Sequence, residues 1–267
     1  MHVPTAAIVI AFIFEAFFWL SVYFFIIRTG FRDKIHAMPV IAMCGNIAWE
    51  FMLGMGTLNG PFAEFGSQFP ACPASWPGCP EGLIGFLTLS AALMDVVIAF
   101  IIIKWGVHQI KTDWLKKRFA WFVLAGIGTS FVIITTAVRD LNIKNPYPTC
   151  VGDMNVGCIE GPAPDFLPLR LDGGFTLGAI LAIIMGLLFI SWIINRDDLR
   201  GQSFYIALFM ALGNTSAYVV AMLWSGFELA TITHVLSVVA LTINYTYVIL
   251  FVHRSKQLGR NPYLLKL

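Results

Sequence analysis

A chain of 267 residues that is 58% apolar and only 12% charged, with a mean hydropathy of +0.79, is too apolar for a soluble domain. Its 17 basic and 15 acidic residues leave a net charge of +2, so no cationic field competes for a phosphate backbone and nucleic acid is excluded as a partner. The length accommodates about seven bilayer crossings with short connections and leaves no room for a separate soluble catalytic domain.

Unbroken apolar runs predict seven helical spans at 5–27, 38–58, 83–103, 119–138, 175–194, 204–224 and 230–252. The expected fold class is therefore all-α: one polytopic transmembrane domain over 1–267. The first span follows only four residues, has no basic leader and carries Glu15, with Trp19 and Tyr23 after it at four-residue intervals. It reads as a retained helix and not a cleaved signal. The second holds Cys44, Asn46, Trp49 and Glu50; Asn46 and Glu50, four apart, share a face that continues to Gly54. The third holds Asp95. Milder polarity marks the sixth, with Asn214 and Tyr218 on one face, and the seventh, with Thr233, Ser237 and Asn244 on one face and His234 near its start. For these, ordinary hydrogen bonding between helices is the simplest reading.

The connections 28–37, 104–118 and 195–200 and the tail after 252 hold 14 of the Lys and Arg residues, against 3 in the alternate connections. This bias predicts a cytosolic carboxy terminus and an outer or lumenal amino terminus, in a bacterial plasma membrane or the endoplasmic reticulum. The two long connections on the opposite side, 59–82 and 139–174, each carry two cysteines, Cys72 with Cys79 and Cys150 with Cys158. Local disulfides within a Pro- and Gly-rich outer cap are the simplest pairing on the oxidising side, with cross-pairing between the loops open. Neither cluster contains a histidine, which argues against a zinc site.

Three carboxyl groups lie deep inside spans: Glu15, Glu50 and Asp95. A charged carboxylate at mid-bilayer costs about 3 kcal/mol on insertion scales, so such residues face the bundle interior and serve a function. Low dielectric disfavours the ionised form, and at least one of the three is expected to keep a proton it can donate. Glu50 is the leading candidate, with Asn46 expected to orient it. Asp95 reads as a partner that tunes Glu50 or accepts a proton, and Glu15 as a third acid or a group satisfied by the nearby tyrosine. Trp19, Tyr23 and Trp49, with Asn214, Tyr218 and Asn244, are the expected lining of a substrate cavity.

A protonated acid in dry, aromatic surroundings suits protonation of a lipophilic substrate followed by cation chemistry that water must not reach. The segment Asn46-Ile47-Ala48-Trp49-Glu50-Phe51 in the second of seven spans, with Asp95 in the third, resembles the small integral-membrane terpene cyclases of the Pyr4 and PaxB type. That resemblance implies closure of prenylated meroterpenoid-like precursors without a metal or other cofactor, with the prenylated small molecule and membrane lipid as partners. It also implies a glutamic acid in the second helix, here Glu50, and a further acid in the last helix. The last helix of this chain has no acid, and Asn244 stands where that second group is expected.

Other classes are left open or narrowed by the same residues. Chains of intramembrane acids also serve proton-coupled transport, and long outer loops also serve a ligand-sensing receptor. A retinal Schiff base needs a lysine inside a span, and none is present. Diphosphate-dependent prenyltransferases and iron desaturases need Asp-rich or histidine-cluster sites, which 5 scattered His and the short Asp197-Asp198 pair do not offer.

Overall fold

The computed structural model describes residues 5–57, 81–143, 173–224 and 231–264. Among these, all regular structure is helical, in seven α-helices: α1 (Thr5–Asp33), α2 (Val40–Thr57), α3 (Glu81–Ile101), α4 (Asp113–Ile143), α5 (Gly173–Asn195), α6 (Phe204–Trp224) and α7 (Thr231–Gln257). Each coincides with one predicted span. Six of them contain stretches long and apolar enough to cross a bilayer, making this a multi-pass membrane protein. The exception is α2, whose apolar part, Val40–Gly54, is shorter than the span expected there. Pro39 marks its start: it fixes the entry to the helix and its carbonyl accepts from the Met43 amide at 3.0 Å. The cysteines Cys72, Cys79, Cys150 and Cys158 lie outside the described residues.

Six helices close into a ring. α1 packs on α6, the most extensive contact; α6 then packs on α7, α7 on α5, α5 narrowly on α2, α2 on α3 and α3 back on α1, while α4 lies outside the ring against α2 and α5. The two faces of α3 show what the ring separates. Leu93 is 69% exposed and Phe86, Val96 and Phe100 stand out beside it, whereas Asp95, Ile98 and Ile101 are fully buried. Large apolar side chains on the outside and polar ones within is the arrangement a bilayer imposes.

Close helix approach depends on residues without a side chain, as is usual where no hydrophobic effect drives helices together. A Cβ at Gly54 would come within 2.8 Å of Leu89 between α2 and α3. One at Gly186 would come within 2.7 Å of Ile243 between α5 and α7, and one at Gly126 within 2.9 Å of the Cys44 sulfur between α4 and α2. Cys44 is buried there, as its place inside a span predicts.

At the end of the bundle that carries the arginines, the connections interlock. Lys34 takes φ 51° just after α1, and the chain turns into a buried segment from Ile35 to Pro39. Gly201, with φ 79°, gives its N–H to Asp33 Oδ2 at 2.8 Å, and a Cβ at that position would lie 2.8 Å from the His36 carbonyl. Both backbone conformation and space therefore require glycine. Ser203 Oγ then caps α6 by accepting from the Ile206 amide at 3.2 Å. After Ile101 the third helix continues through a π turn, Ile102–Gly106, and a short 3-10 turn, Val107–Gln109, which carries Gln109 under His36.

Candidate active site

Inside the ring, α1, α2 and α3 bring together one polar array. Asn46 on α2 spends one amide hydrogen on Asp95 Oδ2 of α3 at 2.7 Å and the other on the Tyr23 hydroxyl oxygen of α1 at 2.8 Å. Tyr23 in turn donates its own proton to Glu50 Oε1 at 2.8 Å. Tyr23 and Asp95 are fully buried and Asn46 nearly so, whereas Glu50 is only partly buried. The second oxygen of Glu50, Oε2, has no hydrogen-bond partner among the described residues. Asp95 Oδ1 is buried and likewise unpartnered.

This geometry corrects one expectation and explains another. Asn46 and Glu50 share a helix face, but the amide does not touch the acid: Tyr23 stands between them, because a tyrosine from α1 reaches across the ring while two side chains one turn apart project in parallel. Tyr23 is therefore committed to Glu50 and not to Glu15. Glu15, two turns earlier on α1, makes no hydrogen bond among the described residues and lies within electrostatic reach of Glu50. Trp19 stacks on Tyr23 with ring centroids 6.1 Å apart and planes at 28°, and its indole seats on Gly213 of α6, where a Cβ would come within 3.1 Å of Nε1. That contact holds the tyrosine ring upright from behind.

The remaining expected residues lie elsewhere on the ring. Trp49 is partly buried and packs toward α5, where its ring lies 3.6 Å from a Cβ placed on Gly178. Asn214 and Asn244 each turn back to their own helix, donating to the carbonyls of Met210 at 3.1 Å and Ala240 at 2.7 Å. Tyr218 pairs with His234 Nδ1 at 2.8 Å between α6 and α7, so both are satisfied at the far end of the bundle from the arginines. Thr176 and Thr233 join α5 to α7 at 2.7 Å. Sequence reasoning passed over Tyr247, which is fully buried, packs its ring against Phe189 and has no hydrogen-bond partner for its hydroxyl among the described residues. Its position three residues beyond Asn244 on the buried stripe was the available signal.

A second polar cluster, also unforeseen, ties the connections at the arginine-bearing end. Gln109 donates through Nε2 to His36 Nδ1 and accepts through Oε1 from Arg196. The Arg196 guanidinium lies 4.2 Å over the Trp192 ring, and His36 meets the same ring at 4.7 Å. Burial, with the Arg196 charge alongside, pushes the His36 imidazole down to about 3, so it serves as a neutral acceptor. Among the described residues, no member of the Glu50 array hydrogen-bonds to this cluster, which reads as a clasp between connections.

Most of the array at Glu50 falls within a stretch that is similar to known proteins. The match is to the Pyr4-like transmembrane terpene cyclases. Their family model covers residues 4–68, which takes in α1 and α2 with Glu15, Trp19, Tyr23, Asn46, Trp49 and Glu50, and leaves out Asp95. The chain is also 28% identical over 116 residues to a Pyr4-family terpene cyclase, mfmH, of Annulohypoxylon moriforme, covering 43% of this chain and 39% of that protein. It is 48% identical over 33 residues to a terpene cyclase, spyD, of Aspergillus fumigatus, covering 12% of this chain and 14% of the relative. The aligned parts thus span well under two thirds of either relative's length. No solved structure matches. The resemblance to the Pyr4 type that the Asn46 to Phe51 segment carries is thereby shared by a longer stretch, and every residue that hydrogen-bonds into the Glu50 array except Asp95 lies inside it.

Proposed function

We propose that this chain is a membrane-bound terpene cyclase in which Glu50 protonates the prenyl chain of a lipophilic, meroterpenoid-like substrate. The observation that carries the proposal is the setting of Glu50: it lies in the family-matched stretch, is held at one oxygen by Tyr23 and has its other oxygen unengaged. In the first step the Glu50 O–H bond breaks and the proton adds to an epoxide oxygen or a terminal alkene carbon. The cation then advances along the folded chain as successive double bonds attack it, within walls supplied by Trp19, Trp49 and their neighbours. Loss of a proton from carbon ends the sequence and restores the balance, so the net change is an isomerisation that needs no redox partner. Asp95, fully buried beside Asn46, tunes the array, and Glu15 is the acid best placed to reload Glu50. Asn214, Tyr218 and Asn244 belong to the far wall of the substrate space in this reading.

The amino terminus faces the outside or lumen and the carboxy terminus the cytosol, on the strength of the basic connections. The test is direct. Membranes containing the chain are supplied with farnesylated and geranylgeranylated phenols, with and without a terminal epoxide, and products are analysed for mass and ring count. Cyclic isomers from the wild type and none from Glu50→Gln are expected. Cyclisation by Glu50→Gln at the wild-type rate removes Glu50 as the acid, and transport of the compounds across vesicles without chemical change removes the enzyme reading altogether.

A further inference from the structure

We infer that Tyr23 is a positioning residue that determines which oxygen of Glu50 carries the transferable proton. The inference rests on the cyclase reading for its purpose but on hydrogen-bond direction for its content. An amide nitrogen has two hydrogens, and Asn46 gives one to Asp95 Oδ2 and one to the Tyr23 oxygen. Turned the other way, the Asn46 oxygen would need one hydrogen from a protonated Asp95 and another from Tyr23, which would then no longer donate to Glu50 as it does here. The Tyr23 oxygen thus receives a hydrogen from Asn46, and its own hydrogen has one acceptor in reach, Glu50 Oε1 at 2.8 Å. The sequence of donations runs one way, from Asn46 outward to Asp95 and, through Tyr23, to Glu50.

A carboxylic acid whose Oε1 is occupied as an acceptor holds its proton on Oε2. That is the oxygen with no partner among the described residues, on the one member of the array that is not closed off. Without Tyr23 the proton can reside on either oxygen, and half of the arrangements point it toward α1 and away from substrate. The ring that enforces the choice is itself fixed: Trp19 backs it at 6.1 Å, and Gly213 leaves room for that indole. In this view Asp95 acts at a distance, as the anchor that keeps Asn46 from rotating, and Tyr23 is not a wall of the substrate site.

The consequence is spectroscopic before it is kinetic. A hydrogen bond to the carbonyl oxygen of a protonated carboxyl lengthens the C=O bond and lowers its stretching frequency. The band is assigned on the purified, full-length wild-type chain by its loss in Glu50→Gln, in infrared difference spectra that require no substrate. In Tyr23→Phe this Glu50 band is expected to move to higher wavenumber, and in Asn46→Leu, which frees the tyrosine hydroxyl to rotate, to broaden in the same direction. With a farnesylated phenol bearing a terminal epoxide as probe, Tyr23→Phe is expected to lower kcat about tenfold to a hundredfold with KM unchanged, the pattern of lost orientation and not lost binding. A Glu50 band that stays in place in Tyr23→Phe, the lack of any Glu50-dependent carboxyl band, or a raised KM with unchanged kcat overturns the assignment. Failure of the wild type to cyclise any prenylated probe sinks the cyclase reading instead, and leaves the infrared result to decide the proton's place on its own.

Discussion

The two walls of the helical ring hold their buried amides in opposite ways. On the wall formed by α1, α2 and α3, every hydrogen bond of the buried array crosses from one helix to another, linking Asp95, Asn46, Tyr23 and Glu50. On the wall formed by α5, α6 and α7, Thr176 with Thr233 and Tyr218 with His234 cross between helices toward the far end, but the buried amides Asn214 and Asn244 turn back to carbonyls one turn earlier on their own helices, and the Tyr247 hydroxyl has no hydrogen-bond partner among the described residues. A back-bonded amide relieves its own burial and leaves neighbouring helices indifferent to it. A cross-helix array fixes three helices in one register, which is what a group must have if its proton is to be delivered to one place. The contrast teaches that polarity inside a membrane bundle is informative in proportion to how far its hydrogen bonds travel.

The largest effect that breaks or sharpens this contrast is on turnover. Glu50→Gln keeps the shape and the acceptor for Tyr23 but removes the acidic proton, and cyclisation is expected to fall by about a hundredfold to ten-thousandfold; product formation in membranes measures it. Next is a pH effect that belongs to neither wall. His36 is held neutral, so the unfolded chain takes up a proton that the folded chain refuses between about 6.5 and about 3. The sign follows: a base with a depressed value in the folded state loses stability as pH falls below about 6.5, with a slope of about 1.4 kcal/mol per pH unit until folded protein also titrates near 3. Thermal melting in detergent against pH reads it, and His36→Gln is expected to flatten that slope.

Smaller effects compare the walls directly. Asp95→Leu strands one Asn46 hydrogen inside the bundle, and a loss of about 1 to 2 kcal/mol is expected from melting in detergent. Asn244→Leu removes a back-bonded amide whose oxygen is already unpartnered, and the expected change is within about 0.5 kcal/mol or slightly stabilising. Equal losses for the two substitutions would erase the distinction between the walls.

Much of this was legible before any coordinates. All seven helices stand where apolar runs predict them, because a bilayer demands an uninterrupted apolar stretch and leaves few alternatives. The ends are less exact: α1 runs on to Asp33 and α4 begins at Asp113, since charged residues can extend a helix beyond the hydrocarbon region while an apolar scan stops at them. The carboxyls were visible one by one, and spacing correctly put Asn46 and Glu50 on one face. That Tyr23 intervenes between them was not, because period describes neighbours on one helix while the contact depends on which helices enclose a common interior. The same limit hid the clasp of His36, Gln109 and Arg196, whose three members come from three separate connections. Asn244 was marked by its place in the last span, but its retreat to Ala240 depends on a side-chain rotamer that no pattern of residues encodes.

Asn46 has given away both of its hydrogens, and this makes α2 the keyed shaft of the bundle. Sliding or rotating that helix by a single residue turns the amide through about 100° and breaks both bonds at once. Glutamine at this position would carry the same two donors one carbon too far, and aspartate would meet Asp95 with an acceptor where a donor is needed. Length-neutral changes that look conservative on paper are therefore the ones this helix tolerates least, and a one-residue insertion between Pro39 and Asn46 would silence the site while leaving the hydropathy of the chain untouched.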